Sequence, residues 1–168
     1  MSKILAIIPA RGGSKGIVDK NIMEINGNPL IYYTLKPAVQ ALESKTITKL
    51  IVSTDSEKIA TIARSCNAEV PFLRPAELSS DKSKSSGYIK HALDFFNNRN
   101  ETFDFVLILQ PTSPFRDALD IKNCIELFSN RKISRTLISA YKEDYIDDLV
   151  CYRLENSVGI PLNKEHNK

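Results

Sequence analysis

Lys3-Ile4-Leu5-Ala6-Ile7-Ile8-Pro9-Ala10-Arg11-Gly12-Gly13-Ser14-Lys15-Gly16 begins as a short apolar run and breaks into a glycine-rich basic loop, with Lys20-Asn21 just beyond. Ile4, Leu5, Ile7 and Ile8 are nearly continuous rather than alternating with polar residues. That is the pattern of a strand buried on both faces of a parallel sheet. Ligands of open α/β sheets bind beyond the carboxyl ends of such strands, where this loop begins. Gly12, Gly13 and Gly16 are expected to use positive φ and bring backbone N–H groups close to an anion. Arg11, Lys15 and Lys20 place three cations within ten residues. Arg offers a planar fork for phosphate oxygens and Lys a mobile point charge. The loop fits neither G-x-x-x-x-G-K-[ST], since Ile17-Val18 follow Gly16, nor G-x-G-x-x-G, since Gly12 and Gly13 are adjacent.

Working outward, apolar strands alternate with amphipathic helices. Asn26-Gly27-Asn28-Pro29 reads as a turn opening a helix over Leu30–Ser44, with Pro37 expected to kink or break it. A strand Lys49–Ser53 leads to Asp55 or Ser56 as the cap of a helix ending near Cys66. A short strand is predicted over Val70–Leu73, then a polar loop Arg74–Lys82 and a helix over Ser85–Phe96. Phe103–Leu109 reads as the clearest central strand, ending in Gln110-Pro111-Thr112-Ser113-Pro114-Phe115-Arg116, with Asp117 capping a helix to about Ser129. Thr136–Ala140 and Leu149–Leu154 read as further strands, and Glu155 onward as a polar, frayed end. This rhythm argues for a three-layer α/β domain with a mainly parallel sheet.

Composition narrows the partners. A chain of 168 residues with 42% hydrophobic and 26% charged residues is ordinary for one soluble globular domain. The net charge of +3 is small and Lys and Arg are scattered, so nucleic acid is not an expected partner. No run of apolar residues is long enough to span a membrane. Cys66, Cys124 and Cys151 are odd in number and widely spaced, with only His91 and His166 beside them. Unpaired thiols in a reducing cytoplasm are expected, and a zinc site is not.

Three strand-end loops are expected to converge on one edge of the sheet: Ala10–Asn21, Arg74–Ser85 and Gln110–Arg116. The second mixes Arg74 with the hydroxyls of Ser79, Ser80, Ser83 and Ser85, an inventory suited to a base or ribose edge. The third carries Gln110, Thr112 and Ser113 between Pro111 and Pro114, groups suited to a neutral hydroxylated substrate held by a stiff backbone. Arg116 has two readings, facing a substrate carboxylate or pairing with a neighbouring acid. Asp55 likewise reads as a cap or as a ligand contact. Tyr32, Tyr33 and Tyr88 are expected to pack with their hydroxyls at the surface. Ser14 lacks His–Asp support as a nucleophile. Asp144, Asp147 and Asp148 read as a solvated acidic turn.

Ile8-Pro9-Ala10-Arg11-Gly12-Gly13-Ser14-Lys15-Gly16 with Lys20-Asn21, Val52-Ser53-Thr54-Asp55, Arg74-Pro75-Ala76-Glu77-Leu78-Ser79-Ser80-Asp81 and Leu109-Gln110-Pro111-Thr112-Ser113-Pro114-Phe115-Arg116 together resemble the acylneuraminate cytidylyltransferases, the CMP-sialic acid synthetases. The resemblance covers about residues 3–140 and implies a Rossmann-like nucleotidyltransferase fold. It implies a reaction in which CTP gives CMP to a nonulosonic acid, with Mg²⁺ assisting and pyrophosphate leaving, and a possible homodimer. It implies that Arg11, Ser14, Lys15 and Lys20 hold the triphosphate, with Arg11 and Lys20 catalytic. Asn21, Arg74, Ser83 and Ser85 match cytidine-contacting positions. Gln110, Thr112 and Ser113 match positions lining the sugar site, to which Arg116 is added.

The family pattern continues past residue 168, and its Mg²⁺-binding acids have no match here. The chain is therefore expected to be a C-terminally short member, with a nucleotidyltransferase domain over 1–154 and a tail over 155–168. The alternative reading is a non-catalytic or degenerate cytidine-nucleotide-binding module. Transfer to Kdo or a sugar 1-phosphate is disfavoured by the Gln110–Arg116 loop and by the absence of a G-x-G-x-R-L-type opening. Neuraminic, legionaminic and pseudaminic acids differ at positions outside the reach of these motifs.

Overall fold

The computed structural model describes residues 2–13, 16–130, 136–140, 152–156 and 158–161. The chain divides into two compact units, Met1–Lys132 and Ile133–Lys168.

In the first unit, strand β1 (Ile4–Pro9) comes first, followed by a single 3-10 turn at Lys20–Ile22. A two-residue hairpin joins β2 (Glu24–Ile25) to β3 (Asn28–Pro29). Its loop, Asn26-Gly27, has φ of 50° and 76°. Positive φ at both loop positions is what a tight hairpin turn of matching twist requires, and Asn-Gly supplies it with least strain. Helix α1 (Tyr32–Glu43), β4 (Lys49–Ser53), α2 (Glu57–Ser65), α3 (Ser85–Asn97), β5 (Phe105–Ile108) and α4 (Ala118–Asn130) complete the unit.

β4, β1 and β5 form a parallel sheet in that order. In register, Pro9 stands beside Ser53 and Ile7 beside Ile108, so all three carboxyl ends emerge at one edge. The side chains of β1 divide between two cores. Ile4, Ala6 and Ile8 pack with Leu50 and Val52 against Leu35, Ala38 and Ala41 of α1, Ile59 and Ala63 of α2, and Ile121 of α4. Leu5 and Ile7 pack with Ile51 against Tyr88, Ala92 and Phe96 of α3. Burial on both faces is why β1 reads as a continuous apolar run, and the layers are helix, sheet, helix.

Four expectations change. Pro37 does not break the first helix, which runs through it as one element. Pro37 lies in the second turn, so its missing N–H leaves only the Tyr33 carbonyl without an i+4 donor. Residues 70–73 form no strand. Single bridges pair Ile51 with Glu69 and Thr54 with Leu73, and Pro71 between them cannot donate to a ladder. β5 is lateral in the described sheet, and β1 is the strand with a neighbour on each side. An apolar run reports burial of two faces, not the number of strand neighbours. Thr136–Ala140 has no strand, for lack of a ladder partner among the described residues.

Asp117 does cap α4. Asp120 N–H donates to Asp117 Oδ1 at 2.8 Å and Asp117 N–H to Asp120 Oδ2 at 3.0 Å. This is a reciprocal capping box with Asp in both roles.

Among its described residues, the second unit contains an antiparallel hairpin of β6 (Tyr152–Glu155) and β7 (Val158–Pro161). It runs across the boundary expected after Leu154. Asp144, Asp147, Asp148 and Cys151 lie outside the described residues.

Candidate functional site

Beyond the carboxyl ends of the sheet lies a cavity of about 560 Å³. Its walls come from three places. Pro9, Arg11, Gly16, Ile17, Lys20 and Asn21 follow β1. Arg74, Leu78, Ser79, Ser80, Asp81, Ser83 and Tyr88 follow β4 and run into α3. Gln110, Pro111 and Thr112 follow β5.

The loop after β1 is tied to the end of β4. Ala10 N–H donates to the Ser53 carbonyl at 3.0 Å, and Gly12 N–H to Asp55 Oδ1 at 2.9 Å. Asp55 therefore neither caps α2 nor lines the cavity; its carboxylate holds the loop. Ser56 precedes α2 without a side-chain capping bond. A Cβ on Gly12 would stand 3.0 Å from Ser56 Cβ. Gly12 is needed for this close approach rather than for positive φ. Asn21 is buried and donates from Nδ2 to the Arg11 carbonyl at 3.0 Å, while its own carbonyl accepts from Ile31 N–H at 2.9 Å. Arg11 Nη1 sits 2.7 Å from Asp81 Oδ1 and donates to the Ser79 carbonyl at 3.3 Å.

Arg74 is only 6% exposed. Its Nε donates to Ser53 Oγ at 3.0 Å and its Nη2 to the Ser53 carbonyl. Its guanidinium carbon stands 4.9 Å from the centre of the Tyr88 ring. Burial lowers the Arg74 pKa, opposed by the field of Asp55 and Tyr88. Its charge is thus spent on the end of β4 as well as on the cavity wall. Ser83 Oγ donates to the Glu77 carbonyl at 2.7 Å and lies 2.8 Å from Ser80 Oγ, which stiffens the second loop.

The third loop is looser. The Gln110 carbonyl accepts from Ser113 N–H at 3.2 Å and Thr34 Oγ1 at 3.5 Å, and Phe115 is 98% exposed.

Of the residues expected at the site, Arg11, Lys20, Asn21, Arg74, Ser83, Gln110 and Thr112 line one cavity. Ser85, Ser113 and Arg116 do not. Ser85 is exposed in the first turn of α3. Arg116 has a buried Nη1 without a hydrogen-bond partner. Burial lowers its pKa, while Asp120 and Cys124 act to raise it, which favours its reading as the neighbour of an acid. The same burial pushes the Cys124 thiol up. Ser14 and Lys15 lie outside the described residues.

The sequence reading gave no site role to Ile17, Leu78, Asp81 or Tyr88, which also line the cavity. Tyr88 is buried to its hydroxyl rather than surface-tipped. Its spacing from Ala92 and Phe96 on one helix face was the available signal. His91 is also away from chemistry, its ring edge-on to Phe72 at 4.5 Å. For Mg²⁺, the cavity wall offers one carboxylate among its described residues, Asp81, and that is paired with Arg11. No group of three or more His, Cys, Asp or Glu gathers among the described residues. Mg²⁺ asks for octahedral oxygen ligation, and the described residues do not form such a site. No helix among them is long and apolar enough to cross a membrane.

The family model described as Cytidylyltransferase matches residues 5–149. N-acylneuraminate cytidylyltransferase of Escherichia coli is 40% identical over 143 residues, covering 85% of this chain and 32% of the relative. CMP-N,N'-diacetyllegionaminic acid synthase of Legionella pneumophila is 42% identical over 125 residues, covering 74% of this chain and 53% of the relative. The chain thus spans between a third and about half of the length of these two relatives. In fold it is similar to CMP:2-keto-3-deoxy-manno-octonic acid synthetase complexed with CTP, with a TM-score of 0.61 at 19% identity, covering 77% of this chain and 48% of that one.

Proposed function

This chain belongs to the cytidylyltransferase family, and from that premise we propose that it transfers CMP from CTP to a nonulosonic acid. The anomeric hydroxyl of the acid attacks the α-phosphate, a new phosphoester bond forms, and pyrophosphate leaves. The observation that carries this reading is the single cavity joining Arg11, Lys20 and Asn21 to Gln110 and Thr112 at the carboxyl edge of the parallel sheet. Its wall combines cations from the loop after β1 with neutral hydrogen-bonding groups from the loop after β5.

In this reading Arg11 and Lys20 take the triphosphate, with Ser14 and Lys15 in the same loop. Charge on the phosphoryl oxygens grows as pyrophosphate departs, and fixed cations stabilise that charge without reorganising. Asn21, Ser83 and the wall built on Arg74 and Tyr88 receive the nucleoside. Gln110 and Thr112 receive the hydroxylated sugar and hold its nucleophile in line, where positioning alone removes a large share of the barrier. Magnesium enters the proposal only as the cofactor that the resemblance implies, and no step here is routed through it. The two relatives are named for different acids, so the substrate class, rather than one sugar, is proposed.

The test is pyrophosphate release by the purified chain with CTP, Mg²⁺ and a panel of neuraminic, legionaminic and pseudaminic acids. Release with one acid is expected. CTP binding with no release from any acid would leave the nucleotide-binding module as the better description.

A further inference from the structure

Arg11 is the cation on which the phosphate reading leans most, and in the structure it is held by an acid of the same cavity. Its Nη1 lies 2.7 Å from Asp81 Oδ1 and bonds the Ser79 carbonyl at 3.3 Å. Arg11 extends from the end of β1, and Asp81 comes from the loop that follows Arg74. One guanidinium therefore bridges two of the three loops that wall the cavity. The fork of donors that binds a carboxylate is the one that binds a phosphate. Asp81 and the Ser79 carbonyl both occupy Nη1, so an anionic oxygen arriving at that nitrogen competes with Asp81 for it.

The pair is also weak enough to exchange. The two side chains are 31% and 37% exposed, and ion pairs so open to water contribute little. The acid is well held from its own side. The Ser80–Ser83 contact at 2.8 Å and the Ser83 bond to Glu77 at 2.7 Å fix the loop on either side of it. With the loop so fixed, the carboxylate stays close to Arg11 at high effective concentration, as an intramolecular competitor does.

We propose that Asp81 is a built-in competitor for Arg11, so that binding of a phosphate chain is an exchange in which ligand oxygen displaces the Asp81 carboxylate. This rests on the reading that the cavity takes a triphosphate. Asp81 then sets affinity rather than chemistry. It lowers the occupancy of the site by short anions that cannot also reach Lys20 and the nucleoside wall.

The experiment is calorimetric titration of inorganic tripolyphosphate and of CTP into the wild-type chain, Asp81→Asn, Arg11→Ala and the double variant. Asn keeps the size of the side chain and removes its charge, and thermal melts check that each variant is folded. Asp81→Asn is expected to tighten tripolyphosphate about twofold to fivefold, and this gain is expected to vanish in the Arg11→Ala background. Unchanged or weaker tripolyphosphate binding by Asp81→Asn would overturn the proposal. So would an equal gain in the Arg11→Ala background, since the effect would then be general charge. If CTP binds no better than tripolyphosphate in every variant, the nucleotide reading fails while the exchange at Arg11 stands.

Discussion

Where β1 and β4 end, the loops are bonded to one another; where β5 ends, the loop is bonded mostly to itself. On the first side Ser53 accepts from Ala10 and Arg74, Asp55 accepts from Gly12, and Asn21 donates to the Arg11 carbonyl. On the other, Gln110 collects two long bonds to its carbonyl, and Thr112, Ser113 and Phe115 are exposed. The difference teaches a division of labour. In the proposed reading, the described residues of the phosphate and nucleoside side are bonded to one another before a ligand arrives, so less binding energy goes into arranging them. In the same reading, the acceptor side carries little stability of its own, which leaves its side chains free to differ with the substrate.

Mutations can break or sharpen that contrast. The largest effect is expected for Arg11→Ala, which should cut CTP-dependent pyrophosphate release on the order of a hundredfold or more, the scale for losing one well-placed charge stabiliser. An unchanged rate in a folded variant would remove Arg11 from the site. Next comes Ser53→Ala. It strands Arg74 Nε in a buried position, and urea unfolding should show a loss of about 1–3 kcal/mol. A loss below about 0.5 kcal/mol, the noise of ordinary surface changes, would mean the ties around Arg74 are decorative.

Asp117→Ala tests the β5 side on its one firm feature. Losing half of the reciprocal cap of α4 should lower stability by about 1 kcal/mol, with CTP affinity unchanged. The smallest stability effect is expected for Thr112→Ala and Ser113→Ala, within about 0.5 kcal/mol. For Thr112→Ala, the KM for the sugar acid should nonetheless rise while that for CTP holds. Equal changes in both constants would erase the contrast between the two ends.

How much of this could be read without the fold varied by residue. The strand at Ile4–Pro9, its loop cations and the Asp117 cap were legible because their signals are local: an apolar run, a composition and a capping residue just ahead of a helical pattern. The family likeness was legible from four motifs in order. Tyr88 was legible only as part of the buried helix face it shares with Ala92 and Phe96, because that spacing does not say that the face borders a cavity. The failed strand over Val70–Leu73 was not legible: one proline outweighed three apolar neighbours.

The sequence by itself determined the helix–sheet–helix layering, the position of the basic loop at a strand end and the family. These follow from continuous apolar runs at the strands, a 3.6-residue period in the helices and the chemistry of neighbours along the chain. Tertiary structure alone decided who holds whom. Gly12 meets Asp55 across 43 residues, Arg74 meets Ser53 across 21, and Arg11 reaches Ser79 across 68. No local pattern carries those pairings. They arise because a parallel sheet gathers the carboxyl ends of strands distant in sequence at one edge, and the loops there must satisfy their polar groups on one another or on a ligand.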